Sequence, residues 1–438
     1  MTTSGFAFRP METALSGAIF APGDKSISHR ALILAAMAEG ESRISGLLDG
    51  DDVFRTAVAM RALGADVERD ARDWIVTGAK WRNPDRPLYF GNAGTGVRLV
   101  MGATAGAGIA ASFDGDGSLR RRPMDRILDP LRQMGMEAQS GDGFLPVRMN
   151  AGMTFRAIDY TLPKPSAQIK SAIILAALGG EGTTVVREPV PCRDHTERMI
   201  PAFGGEIEIE AVEMSARRIL VRGGQSLTAC DLAVPGDPSS AAFAIAAALI
   251  SPGSDLVVRN VMLNPSRTGF LSVLREMGAA LSIENKKESG GETVGDVRVR
   301  HANLCGVTVP AERAPSMIDE YPILSVVAAF AEGETRMEGL SELRIKESDR
   351  IAAIEAGLRA NGVDVESGPD WLSVRGGGVP GGGRVMTHHD HRIAMSFLIL
   401  GLGAEKPVSV DDISMIATSY PGFFSDFEML GVVAGQTG

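Results

Sequence analysis

Pro22-Gly23-Asp24-Lys25-Ser26-Ile27-Ser28-His29-Arg30 runs straight into Ala31-Leu32-Ile33-Leu34-Ala35-Ala36-Met37, and the same turn returns as Pro235-Gly236-Asp237-Pro238 ahead of an apolar run over 241–250. Each reads as a Pro/Gly turn opening a helix that is apolar on nearly every face, and such a helix must be buried on every face. Further copies begin at Gly91, Pro163, Pro315 and His388, with cores such as Ile173-Ile174-Leu175-Ala176-Ala177-Leu178 and Val326-Val327-Ala328-Ala329-Phe330. A second marker recurs in phase. Amphipathic patterns close on a glycine followed by strand-like residues at Gly64, Gly135, Gly204, Gly278, Gly362 and Gly431, a spacing of roughly 70 to 85 residues.

The chain is therefore a sixfold repeat of strand, buried helix, strand, amphipathic helix and strands. A period near 70 residues exceeds the roughly 20 to 50 of common solenoids, which favours a closed arrangement over an open array. Six units divide into two domains of three, about residues 23–234 and residues 1–22 plus 235–438. The hinge is expected near 20–23 and 234–238.

Composition bounds the function. With 438 residues, 44% hydrophobic and 22% charged, the chain is an ordinary globular one with apolar material for more than one core. A net charge of -10 argues against a broad nucleic-acid-binding face, which needs surplus clustered cations. Cys192, Cys230 and Cys305 lie far apart and are odd in number, so neither a zinc site nor a disulfide framework is expected. The N-terminal Met1-Thr2-Thr3-Ser4-Gly5-Phe6-Ala7-Phe8-Arg9-Pro10 lacks the apolar core of a secretory signal, and no apolar run reaches the length of a membrane span. A cytoplasmic protein is expected.

The heads of the buried helices carry the chemistry. At the first, Lys25, Ser26 and Arg30 join unpaired N–H groups at a helix N-terminus, which suits an anion. An N-cap with solvated charges explains that segment equally when it is taken alone. At the second, Gly91-Asn92-Ala93-Gly94-Thr95-Gly96 lets a ligand approach the backbone, though it lacks a nucleotide-binding fingerprint. Arg122 follows two other arginines and is constrained by Pro123. At the third, Ser166 caps and Gln168 places an amide on an apolar helix, which needs a partner. Asp319, within Ser316-Met317-Ile318-Asp319-Glu320-Tyr321-Pro322, is either half of a capping box or a carboxylate able to accept a substrate proton.

In Arg344-Ile345-Lys346-Glu347-Ser348-Asp349-Arg350, Lys346 and Arg350 are four apart and are expected on one helix face; such a run reads either as a surface ion-pair ladder or, with Glu347 beside two cations, as an acid/base group in an anion site. His388-His389-Asp390-His391-Arg392 suggests a metal cluster at first sight, but adjacent side chains diverge and anion binding by Arg392 is the better reading. Equivalent helix ends facing one another would bring Lys25, Arg30, Arg122, Lys346, Arg350 and Arg392 to one cleft, and so much positive potential in an acidic protein calls for a polyanionic ligand.

Jointly, Asp24-Lys25-Ser26-Ile27-Ser28-His29-Arg30, Gly91-Asn92-Ala93-Gly94-Thr95, Arg122-Pro123-Met124, Pro165-Ser166-Ala167-Gln168, Asp319-Glu320-Tyr321-Pro322, Lys346-Glu347-Ser348-Asp349-Arg350 and Asp390-His391-Arg392 resemble the 5-enolpyruvylshikimate-3-phosphate synthases, in order and over essentially the whole chain. The resemblance implies an α/β (α+β) fold, a two-domain inside-out α/β barrel with three βαβαββ repeats per domain. It implies transfer of enolpyruvyl from phosphoenolpyruvate to the 5-hydroxyl of shikimate 3-phosphate, without metal or organic cofactor; a monomer is expected, with glyphosate as a candidate inhibitor. By the same resemblance Lys25, Ser26, Arg30, Ser166, Ala167, Gln168, Arg193, Asp319 and Lys346 would hold shikimate 3-phosphate. Lys25, Gly94, Arg122, Gln168, Arg350 and Arg392 would hold phosphoenolpyruvate. Asp319 would take the 5-hydroxyl proton and Glu347 would protonate the methylene carbon, with Lys25 also in the catalytic set.

Two positions depart from many members of that family. Thr418 stands where a lysine is common, and Leu99 where proline is, the latter pointing with Arg193-Asp194-His195 to a divergent bacterial subgroup. Gly94 argues for glyphosate sensitivity, while Leu99 leaves it open. The rival acceptor is UDP-N-acetylglucosamine, but its transferases carry a cysteine or aspartate in a mobile loop and an asparagine after the lysine. Here the loop reads Asp114-Gly115-Asp116-Gly117-Ser118-Leu119, without cysteine, and Ser26 follows Lys25. A repeat scaffold without catalysis would explain the glycines but not acid, base and cations at the helix heads.

Overall fold

A computed structural model describes residues 5–11, 13–150, 155–213 and 216–437. The first four positions of the N-terminal stretch considered above lie outside them. The chain divides into two compact units. Unit 1 comprises Met1–Pro22, Gly236–Lys287 and Thr293–Gly438; unit 2 comprises Gly23–Pro235 with Glu288–Glu292, a segment that nothing in the repeat pattern singles out.

Each repeat contributes a buried and a more superficial helix. In unit 2 these are α1 (Lys25–Met37), α2 (Asp51–Leu63), α3 (Gly94–Gly106), α4 (Asp125–Gln133), α5 (Ala167–Gly179) and α6 (His195–Met199); in unit 1 they are α7 (Pro238–Ile250), α8 (Gly269–Glu276), α9 (Tyr321–Phe330), α10 (Arg350–Ala360), α11 (His391–Gly403) and α12 (Phe423–Met429). The odd-numbered helices are those read as apolar all round. Every residue of α7 is buried, and so is almost every residue of α11. Within unit 1, α7, α9 and α11 pack on one another; within unit 2, α3 lies against α1 and α5.

The close approach of α3 to α5 explains two glycines. A Cβ on Gly102 would come 2.3 Å from the Ala172 carbonyl oxygen, and one on Gly106 would come 2.4 Å from that of Ala176. Neither backbone can yield cheaply, so only hydrogen fits at these positions.

Outside the buried helices, the described residues form six four-stranded sheets, three per unit. The second repeat sets the pattern: Leu88–Tyr89 runs parallel to Ala111–Asp114, which pairs antiparallel with Phe144–Met149, which pairs antiparallel with Ala138–Gly141. The parallel pair requires a crossover, and the buried helix supplies it. The pleat then turns alternate residues of Phe144–Met149 inward. Three repeats borrow a strand from elsewhere in their own unit. Leu232–Ala233 completes the first, Ser16–Phe20 opens the fourth, and Gly5–Phe8 completes the sixth. All six glycines that mark the superficial helices adopt the left-handed conformation, with φ from 73° to 116°.

Candidate active site

In unit 2 the Pro-Gly-Asp turn builds the helix head by a cap. Asp24 Oδ1 accepts from the Ile27 N–H at 2.8 Å, which orients α1 with Lys25 as its first residue. Lys25 Nζ lies 3.1 Å from Asp52 Oδ2, at the start of α2. Arg30 is buried, and its guanidinium is held by neutral groups: Nε donates to Thr196 Oγ1 at 2.8 Å, Nη2 to Ser171 Oγ at 2.7 Å and Nη1 to the Ser26 carbonyl at 2.9 Å. Burial lowers its pKa to about 10, against the opposing pull of Glu197 and Asp24, and the nearby Arg193 cation adds to the depression. Two guanidiniums therefore share one region and repel, an electrostatic arrangement that favours an anion. His29 Nδ1 lies 2.8 Å from Thr56 Oγ1; burial first, then Lys25 and Arg30, lower its pKa to about 3, so it stays neutral.

The glycine loop adjoins this head. A Cβ on Gly96 would lie 2.5 Å from Thr56 Oγ1 and 3.3 Å from the His29 ring, and one on Gly94 would come 3.0 Å from Nη1 of both Arg122 and Arg98. Arg122 Nη2 donates to Asn92 Oδ1 at 2.7 Å, and Arg98 Nη1 donates to the Gly94 carbonyl at 3.0 Å. Gln168 has the partner that its amide demands, since Nε2 donates to Thr95 Oγ1 at 3.1 Å. Ser166 caps α5 through the Ile169 N–H at 3.5 Å, and Ala167 is the first helical residue. Of the residues expected to bind from unit 2, Lys25, Ser26, Arg30, Gly94, Ser166, Ala167 and Gln168 lie at the heads of α1, α3 and α5, while Arg122 precedes α4 and Arg193 precedes α6.

Unit 1 carries a second cluster. Arg350, fully buried, gives Nε to Asp390 Oδ2 at 2.8 Å, Nη2 to Glu347 Oε2 at 2.6 Å and Nη1 to Asp319 Oδ1 at 3.3 Å. Lys346 Nζ lies 3.4 Å from Asp319 Oδ1, and Arg392 Nη1 donates to the Asp319 carbonyl at 3.3 Å. Burial would lower the Arg350 pKa, but Asp390, Glu347 and Asp319 outweigh it and the net direction is up. At Asp390 burial raises the pKa, yet the Arg350 cation prevails and holds the carboxyl below its ordinary range.

One expectation is corrected. Lys346 and Arg350 do not share a helix face: α10 begins at Arg350, capped by Asp349 through the Ala352 N–H at 3.1 Å, and Lys346 and Glu347 precede it. Convergence on Asp319, rather than helical spacing, brings them together. The capping box at Ser316 is also absent, because that hydroxyl donates to the Arg313 carbonyl and α9 starts at Tyr321. Asp390 was missed as a functional residue. Its signal was the N-cap position before α11, where it accepts from the Arg392 N–H at 2.9 Å. Thr418, where the resemblance implies a lysine, is an uncharged side chain that donates to the Met415 carbonyl at 2.7 Å.

The histidine run does not gather ligands. His389 pairs with Asp412 at 3.1 Å while Asp390 serves Arg350. Among the described residues Asp194, His195 and Glu292 do lie within metal-ligating reach. Arg198, 2.8 Å from Asp194 and 3.8 Å from Glu292, and Arg217, 3.7 Å from Asp194, make that group an ion-pair network.

The sequence matches the family model of EPSP synthase (3-phosphoshikimate 1-carboxyvinyltransferase) over residues 11–427. The chain belongs to the EPSP synthase family. It is 55% identical over 424 residues to the 3-phosphoshikimate 1-carboxyvinyltransferase of Maricaulis maris, covering 95% of this chain and 94% of that one. It is 54% identical to that of Methylobacterium sp. over 97% of both chains. Among solved structures, the EPSP synthase of Acinetobacter baumannii superimposes with a TM-score of 0.89 at 39% identity over the whole of both chains. The enolpyruvyl transferase NikO from Streptomyces tendae shares the fold, with a TM-score of 0.75 at 19% identity over 99% of each.

Proposed function

We propose that the two clusters divide the work of transferring enolpyruvyl from phosphoenolpyruvate to the 5-hydroxyl of shikimate 3-phosphate. The observation that carries this reading is the pair of carboxylates, Asp319 and Glu347, bonded to opposite arms of one buried guanidinium. An addition across a double bond needs a base on one reactant and an acid on the other, and Arg350 holds two such groups at fixed separation. Asp319 takes the proton of the 5-hydroxyl as the hydroxyl oxygen bonds to the central carbon of phosphoenolpyruvate, while Glu347, having taken up a proton as the anionic reactants bind beside it, delivers that proton to the methylene carbon. Return of that methyl proton to Glu347 and departure of phosphate restore the double bond.

Two anionic reactants repel, so binding them together is an electrostatic problem. Lys25, Ser26, Arg30, Ser166, Ala167, Gln168, Arg193, Asp319 and Lys346 hold the acceptor. Lys25, Gly94, Arg122, Gln168, Arg350 and Arg392 hold the donor, and glyphosate competes at the donor subsite beside Gly94. No helix among the described residues is long and apolar enough to cross a membrane. A cytoplasmic location and a monomeric state are part of the proposal. Phosphate release from phosphoenolpyruvate, measured with either shikimate 3-phosphate or UDP-N-acetylglucosamine as acceptor, tests the reading. Release with the first alone is expected; release with the sugar nucleotide alone would overturn it.

A further inference from the structure

Lys170 is a lysine with no exposure at all, on the helix α5 whose other core residues are almost entirely apolar. Its three N–H donors are each used: Glu188 Oε1 at 2.7 Å, Glu197 Oε1 at 2.7 Å and the Cys192 carbonyl at 3.4 Å. Glu188 Oε1 in turn accepts from the Cys192 N–H and thiol, both at 2.9 Å. Burial would lower the Lys170 pKa, but Glu197, Cys192 and Glu188 outweigh it and the cation persists; burial raises the Glu197 carboxyl in spite of Lys170.

Such a triad is a poor stabiliser. Removing charges from water costs several kcal/mol per ion, and apolar residues of similar volume commonly serve a fold as well or better. Its position suggests another use. The three groups it grips, Glu188, Cys192 and Glu197, bracket Arg193. Asp194, on the other side of Arg193, is held by Arg198 at 2.8 Å. Cys192 and Asp194 are buried, and Arg193 between them is not.

The same two helices meet again one residue further along. Ser171 follows Lys170 and Thr196 precedes Glu197, and the Thr196 hydroxyl donates to Ser171 Oγ at 2.7 Å while both oxygens accept from Arg30. The ion pair and the hydroxyl pair are thus parallel rungs between α5 and α6, and the second rung carries Arg30.

We propose that the buried Lys170–Glu188–Glu197 triad is a positioning element for the acceptor, aiming Arg30 and Arg193 at the anionic groups of shikimate 3-phosphate. This rests on assigning those two arginines to the acceptor. Lys170, Glu188 and Glu197 touch no substrate; they set the spacing of α5 and α6 and the course of the turn that presents Arg193. An aim lost by a fraction of an ångström weakens a charged contact steeply, so the effect falls on acceptor binding.

Steady-state kinetics with each substrate varied in turn, together with thermal melting, tests this on the full-length enzyme. Lys170→Met is expected to raise the KM for shikimate 3-phosphate about tenfold or more, with the phosphoenolpyruvate KM and kcat within about threefold of the parent. Because that variant strands two buried carboxylates, Lys170→Met/Glu188→Leu/Glu197→Leu is made beside it. The triple variant is expected to melt at or above the parent temperature while keeping the raised acceptor KM. Glu197→Gln, which keeps the hydrogen bond, is expected near the parent value. A folded triple variant with the parental acceptor KM would overturn the proposal, as would equal rises for both substrates. A triple variant that fails to fold would also overturn it, by making the triad a stability element. Arg193→Ala separates the proposal from the reading beneath it: an unchanged acceptor KM there removes the site assignment itself.

Discussion

Arg30 and Arg350 are both buried guanidiniums near the heads of helices, and their surroundings are opposite. Arg30 is gripped by two hydroxyls and a carbonyl, and its pKa is lowered to about 10 by burial; Arg350 is gripped by three carboxylates, and its pKa moves up. A cation held by dipoles keeps more of its field for an arriving anion, which is the role proposed for Arg30. A cation already surrounded by acids has part of its field spent on them, so in the proposed reading Arg350 serves both as a donor contact and as the mount that aims Asp319 and Glu347. On the proposed reading, one repeat used six times serves anion binding in both units and proton transfer in unit 1, according to which partners surround its arginines.

Glu347→Gln cuts deepest into that comparison. Glutamine keeps the bond to Arg350 but delivers no proton, so kcat is expected to fall by about a hundred to ten thousandfold while calorimetry still detects both substrates. Near-normal turnover would remove Glu347 from the mechanism. Asp390→Asn strikes the mount itself. It leaves Arg350 short of a buried counter-charge, and a loss of about 3–5 kcal/mol is expected in urea unfolding. The pH dependence follows with a definite sign. Asp390 is held below its unfolded value, so its contribution to stability is present above the ordinary carboxylate range, near pH 4, and is lost as pH falls through the depressed folded value. The Asn variant should lack that part of the acid transition, and an unchanged profile would count against the mount.

Gly94→Ala probes the unit 2 side. Its Cβ would sit 3.0 Å from two guanidinium nitrogens, and Arg98 is bonded to the carbonyl of Gly94 itself, so Arg122 has to give by a few tenths of an ångström. A rise of about tenfold in the phosphoenolpyruvate KM is expected, with a larger loss of glyphosate inhibition. Unchanged constants would place the donor away from Gly94.

The repeat was legible because it rests on local rules. Helices apolar on every face and glycines in the left-handed conformation are written in a few consecutive residues, and all six glycines adopt that conformation. The borrowed strands were not legible, since Leu232–Ala233 beside Glu41–Ser45 is a long-range pairing of two residues with no local signature. At the site, residue types that are costly to bury, such as Lys25, Arg30, Glu347 and Arg350, announced themselves. Their holders did not. Ser171, Thr196 and Thr56 read as ordinary helix residues until the fold places them against a guanidinium or a ring. Lys346 and Glu347 were found for an imperfect reason, because helical spacing suggested a neighbourhood that Asp319 creates.

The smallest effect separates capping from binding at Ser166. The caps at Asp24, Asp237 and Asp390 accept backbone N–H groups at 2.8 to 2.9 Å, whereas Ser166 Oγ is 3.5 Å from the Ile169 N–H, the limit of a hydrogen bond. A well-formed serine cap is worth about 1 kcal/mol, and one this long should be worth about half that. Ser166→Ala is therefore expected to lower stability by only about 0.5 kcal/mol in urea. If the hydroxyl is poorly used by the helix because it serves the acceptor, the KM for shikimate 3-phosphate should still rise about threefold to fivefold, the cost of one neutral hydrogen bond. A full capping loss with an unchanged KM would return Ser166 to a purely structural role and confine acceptor recognition in unit 2 to its cations and Gln168.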